Sequence, residues 1–94
     1  MRLLFILILL SSLTHISLGA PTVSLKIEGS TTVAYKTVGD NKLFIYIFNP
    51  KDHQKSDQRS AAVFFFGGGW NGGTPTQFQH HCRYLASRGM VAMV

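Results

Sequence analysis

Between positions 67 and 73 the chain reads Gly-Gly-Gly-Trp-Asn-Gly-Gly, five glycines in seven residues. Such a stretch leaves main-chain amides open to close approach, and glycine tolerates the φ > 0 conformations that tight loops require. Its composition fits a plain surface turn, a phosphate cradle, or a main-chain holder for a developing negative oxygen. The phosphate reading lacks its signature: no Gly-Lys-Ser/Thr ending brings a lysine to the phosphates, and G-x-G-x-x-G is not met in a useful register. Other chemistry-bearing residues are less suitably placed. His80 and His81 are adjacent, so on a helix they diverge by about 100° and form no i, i+4 metal pair, and no His-Glu-x-x-His occurs. Cys82 falls on an apolar helical stripe, where a packed small hydrophobe is expected rather than a nucleophile. Glu28, Asp40, Asp52 and Asp57 fall in turns and loops without the pairing that general acid/base work demands.

The elements around the glycine loop read as an α/β arrangement. Residues 20–32 form a polar lead-in with room for an edge strand near Val23 to Ile27. Val33 to Val38 and Leu43 to Phe48 are apolar, β-branched and aromatic. Gly39-Asp40-Asn41 between them is turn chemistry, so the pair predicts a β-hairpin. Asn49-Pro50 ends the second strand. Lys51 to Ser60 is a polar surface loop. Ala61 to Phe66 (AAVFFF) has no polar alternation, which predicts a strand buried on both faces. After the glycine loop, Thr74 is an N-cap and Pro75 a first-turn residue. Phe78, Cys82, Leu85 and Ala86 then form one helical stripe. Arg83 and Arg88 lie late in the helix, where cations suit its dipole, and Gly89 stops it. Met90 to Val94 reads as the next strand. The expected order is an antiparallel hairpin followed by a βαβ unit, an incomplete sheet over residues 33–94. One helix cannot cover both faces of a parallel sheet. The last strand is therefore expected to expose an apolar edge and the chain to be part of something longer.

The 94 residues are 46% hydrophobic and 14% charged, a globular composition, with a formal charge of +5. The basic residues are scattered, which argues against a nucleic-acid-binding stripe. The first nineteen residues differ in kind. Arg2 precedes the apolar run Leu3 to Leu10, and Ser17 and Gly19 place small residues before Ala20. This is the order of an export signal, with cleavage expected between Gly19 and Ala20 and a secreted or periplasmic product. A membrane span needs about 20 mostly apolar residues, and Ser11, Ser12 and Thr14 interrupt the run too early. No stable anchor is expected after cleavage. With Cys82 as its single cysteine, the chain has no internal disulfide, so stability must come from burial.

The segment Ala61 to Phe78, AAVFFFGGGWNGGTPTQF, resembles the strand–oxyanion-loop–helix segment of the α/β-hydrolase superfamily. The likeness is to the esterase/lipase branch with an HGGGW-type loop, which includes feruloyl- and acetyl-esterase-like members. In context the motif is fairly specific, and the likeness extends over residues 33–94. Phe66, Gly67, Gly68, Gly69 and Trp70 occupy the positions of His-Gly-Gly-Gly-Trp. The resemblance implies the N-terminal portion of an α/β-hydrolase fold. It also implies main-chain donors at Gly68 and Gly69, with Trp70 N–H a second choice and its indole beside the substrate pocket. Acyl transfer puts negative charge on a carbonyl oxygen, and losing one amide donor costs roughly 100-fold or more in rate. Phe66 departs from the pattern: the usual histidine braces the loop by hydrogen bonds, and phenylalanine can brace only by packing.

The resemblance further implies a serine nucleophile on a G-x-S-x-G turn, followed by an acid and a histidine. No such turn occurs, and Ser87 is followed by Arg88-Gly89. No catalytic triad residue is therefore assigned in this chain; nucleophile, acid and base are expected beyond Val94. The expected parent is a secreted serine esterase hydrolysing a small-molecule or carbohydrate ester with no cofactor or metal, and the 94 residues alone are expected to be inactive. The same front end also fits peptidases and dienelactone-type hydrolases. The competing reading is a non-catalytic exported binding protein, or an inactive truncated product, on the same fold.

Overall fold

The computed structural model describes residues 22–94; the expected signal peptide lies outside them. Strand β1 spans Thr31–Val38 and β2 spans Asn41–Phe48. They pair antiparallel, with Val38 opposite Asn41 and Thr31 opposite Ile47. Gly39 and Asp40 alone make the turn, and Gly39 takes φ +59°, the left-handed conformation that two-residue hairpin turns require. The register slips between Ala34 and Lys36, leaving Tyr35 as the extra residue of a bulge.

Strand β3 is Ala61–Val63, the helix α1 is Gln79–Ser87, and β4 is Val91–Met93. The sheet order is β1-β2-β4-β3. Strand β4 runs antiparallel to β2 and parallel to β3, so β3, α1 and β4 form the expected βαβ unit. The last strand is not an edge as expected. It lies between β2 and β3, and the outer positions belong to β1 and β3.

Three further expectations fail for physical reasons. The lead-in is no strand over Val23 to Ile27. It is held by the bond from Leu25 N–H to the Tyr46 hydroxyl at 2.8 Å, by Ser30, whose N–H and hydroxyl both donate to Ile27 O, and by burial of Ile27. Strand β3 stops at Val63 instead of running to Phe66, its pairing ending where Phe64 N–H donates to Met93 O at 2.8 Å. Nor is it buried on both faces: Val63 is half exposed and Phe65 is 87% exposed. The single helix covers one face of the sheet only. On that face Phe48, Cys82 and Ala92 are at most 1% exposed, with Leu85, Ala86, Phe78 and Phe64 packed around them. The opposite side leaves an open apolar groove floored by Tyr35, Ile45, Val63 and Phe66.

The helix stripe is as the sequence spacing demands, but its ends are built differently. Thr74 at φ −149° accepts a bond from Thr76 N–H at 3.4 Å, and the first turn, Pro75–Phe78, is a 3₁₀ turn rather than α-helix. At the other end Gly89, at φ +89°, and Met90 donate to Ala86 O and Leu85 O, a Schellman closure. Arg83 does not serve the helix dipole. It reaches across to Glu28 O at 2.8 Å. Arg88 is the exposed C-cap residue, and the cation whose side chain bonds the helix end is Arg59, through Gly89 O at 3.2 Å.

Candidate active-site loop

Residues Gly67 to Gly73 leave the C-terminal end of β3 and lead to the first turn before α1. In open α/β sheets this is the end of the strands where ligands bind. The loop folds back on itself. Asn71 N–H donates to Gly68 O at 3.1 Å, and the two residues between, Gly69 and Trp70, have φ of +60° and +66°. Positive φ at both central positions defines a primed turn, for which glycine or asparagine is preferred. Trp70 is the lone described non-glycine residue with positive φ. A side chain in this conformation costs roughly 1–2 kcal/mol. Strain held at such a position is a mark of functional loops.

Two glycines are dictated by contact rather than by φ alone. A Cβ on Gly68 would overlap the Gly72 carbonyl, and one on Gly73 would overlap the Gly67 carbonyl oxygen. The two limbs of the loop therefore touch backbone to backbone. Among the described residues, no acceptor partners the amides of Gly68, Gly69 or Trp70. All three residues are exposed. An exposed turn presenting unpartnered N–H groups can receive an anionic or partly charged oxygen.

The loop's brace comes from a residue that sequence reasoning missed. The Gln77 side chain accepts from Gly67 N–H at 3.3 Å and donates through Nε2 to Gly67 O at 2.9 Å. Phe66, in the position where the resemblance places histidine, makes no hydrogen bond and is 42% exposed. The signal for Gln77 was weak, since a polar residue in a first helical turn ordinarily faces water. Phe78, next in sequence, stacks on Phe64 with ring centroids 4.8 Å apart, which ties the same turn to the strand side. Trp70 is fully exposed, and the described residues put no pocket wall beside its indole.

The remaining chemistry-bearing residues lie elsewhere. His81 sits edge-on to Phe78 at 5.6 Å, and His80 is exposed. Cys82 is wholly buried, and burial pushes its thiol pKa upward, away from the thiolate a nucleophile needs. The carboxylates Asp52 and Asp57 join Arg59 in the loop before β3, at the opposite end of the strand from the glycines. Asp57 accepts from Gln54 N–H at 2.9 Å and from Arg59 Nε at 2.9 Å. These two bonds, the main-chain one foremost, hold its carboxyl below the usual carboxylate range.

No protein-family model matches the sequence. A comparison with curated protein sequences returns no match. Solved structures do match. The Thermogutta terrifontis esterase 2 phosphoramylated by tabun is 49% identical, with a TM-score of 0.70 over 73% of this chain and 26% of that one. The native form of the same thermophilic planctomycete esterase is 52% identical, with a TM-score of 0.68 over 70% and 24%. The propionate-bound form matches to the same extent. The chain thus spans about a quarter of the length of the esterase structures it matches. Identity near one half, joined to the sheet order and the βαβ unit described above, establishes that these residues carry part of an α/β-hydrolase fold.

Proposed function

We propose that this segment is the oxyanion-binding front of an exported carboxylic-ester hydrolase that works through a serine nucleophile supplied beyond Val94. The observation carrying this reading is the pair of amides at Gly68 and Gly69 that find no acceptor among the described residues, set on a backbone-packed turn at the C-terminal end of a parallel strand. In the tetrahedral intermediate of ester cleavage these donors would hold the carbonyl oxygen as it becomes negative. They favour the transition state over the ground state because they are fixed before the charge appears. Trp70 N–H is the alternative donor, and the Trp70 indole would flank the acyl or leaving group once the rest of the fold supplies a wall. Phe66 and Gly67 form the stem of the loop.

The likeness to the Thermogutta esterase adds two expectations. That protein is found with propionate and with butyrate bound, which favours esters of short acyl chains here. It is also found phosphorylated by paraoxon, a reaction of activated nucleophiles, which favours a covalent mechanism. The HGGGW-like loop Phe66 to Trp70 favours the acetyl- and feruloyl-esterase side of the superfamily, and the apolar run before Ala20 favours export.

The test uses the product of the complete reading frame that carries residues 1–94. It should hydrolyse short-chain esters and take up one equivalent of paraoxon-derived phosphoryl on a serine of a G-x-S-x-G turn. The 94-residue chain alone should do neither, because a donor loop without a nucleophile cannot form an acyl-enzyme. A complete product inert to both reagents would return the segment to the competing reading, a binding protein on a hydrolase fold.

A further inference from the structure

The geometry points to Gln77 as the positioning residue of the oxyanion loop, taking over the bracing role that a histidine at position 66 would have. This rests on the ester-hydrolase reading of Gly68 and Gly69. The primary amide is matched to its task. It carries one acceptor and one donor side by side, and Gly67 offers one N–H and one C=O. Both bonds form at once, at 3.3 and 2.9 Å. The opposite placement of the amide oxygen and nitrogen would set donor against donor and acceptor against acceptor.

Position makes this bond pair matter for chemistry. Gly67 immediately precedes the two proposed donors, so the orientation of its peptide plane fixes where the Gly68 N–H points. Among the described residues, no other side chain hydrogen-bonds to residues 66–73. Gln77 itself is held, since its own N–H donates to Thr74 O at 3.2 Å and its neighbour Phe78 stacks on Phe64. Gly73 leaves the Gly67 carbonyl room for this bond, because a Cβ there would meet the same oxygen. Strand, loop and first helical turn are thereby closed into a ring. Gln77 touches no reacting atom; it acts through Gly67.

The test compares Gln77→Ala and Gln77→Glu with the wild type in the complete gene product. Readouts are kcat and KM on a short-chain ester across pH, and amide exchange in a peptide covering residues 64–73. Gln77→Ala should lower kcat by about 10- to 100-fold, a partial loss of one donor. KM should change little, because the lost interaction belongs to the transition state. Exchange across the loop should quicken.

Gln77→Glu supplies the readout that a merely structural role would not move. When ionised it repels the Gly67 carbonyl, and when protonated it reproduces both bonds of the amide. Its kcat relative to wild type should therefore rise as pH falls through the introduced carboxyl's titration. A Gln77→Ala enzyme with wild-type kcat and unchanged exchange overturns the proposal. So does a Gln77→Glu enzyme whose deficit is the same at every pH. If the wild type shows no turnover, the hydrolase reading fails separately. Loop exchange then decides the brace alone: faster in Gln77→Ala upholds it, unchanged removes it.

Discussion

The two loops that flank β3 are opposites. The loop before it, Lys51 to Ser60, closes on itself: Asp57 takes the Gln54 amide and the Arg59 guanidinium, while Arg59 also bonds Gly89 O and lies 3.2 Å from Asp52. Its Asp52, Asp57 and Arg59 side chains are all partnered, while His53 Nδ1 is buried without a hydrogen bond. The loop after β3 has backbone packed on backbone, one strained tryptophan, and three amides with no described acceptor. The first loop spends its polar groups on joining the sheet to the end of α1. The second leaves the amides of Gly68, Gly69 and Trp70 without an acceptor among the described residues. Charged side chains are thus a poor guide to chemistry here, since the acidic and basic cluster is structural and the candidate site is main chain.

Four substitutions sharpen or break that contrast, all in the complete gene product. The largest effect is expected from Gly68→Ala, whose Cβ meets the Gly72 carbonyl. The limbs must separate, and kcat should drop about 100-fold or more while the thermal midpoint barely moves. Loss of the fold with normal turnover per folded molecule would make this loop structural as well. Next, Cys82→Ser at the wholly buried helix position should cost about 1–3 kcal/mol in denaturant melts through an unsatisfied hydroxyl. Activity should be spared, because α1 joins the two loops without entering either.

Trp70→Gly removes a side chain from a φ of +66°. It should stabilise by about 1 kcal/mol and raise KM if the indole lines the substrate pocket. Unchanged KM would take Trp70 out of that pocket. The smallest effect belongs to the closed loop. Asp57 has its carboxyl pKa lowered in the folded protein, so its contribution to stability is present above the ordinary carboxylate range and is lost as pH falls through the lowered value. The gap in thermal midpoint between wild type and Asp57→Asn should be small at neutral pH and should close on acidification, with kcat unaffected throughout.

Much of the architecture was legible because it follows from local rules. Apolar, β-branched and aromatic runs around Gly39-Asp40 specify a hairpin. Thr74-Pro75, the stripe from Phe78 to Ala86 and Gly89 specify a helix, although its first turn is 3₁₀ and the α-helix begins only at Gln79. The glycine cluster marks a loop whose backbone must come close to something. The expected edge strand at Val23 to Ile27 and the long third strand to Phe66 were misread, because apolar composition does not say whether a pairing partner is in reach.

The sequence by itself determined that a glycine loop would stand between a strand and a capped helix, since periodicity, capping and glycine's freedom act over a few residues. Only the tertiary structure decided that β4 is interior, that Arg59 and not Arg83 serves the helix end, and that Gln77 holds Gly67 from ten residues away. Those outcomes depend on which distant groups arrive within hydrogen-bond range, and that is fixed by the packing of the whole rather than by any stretch of chain.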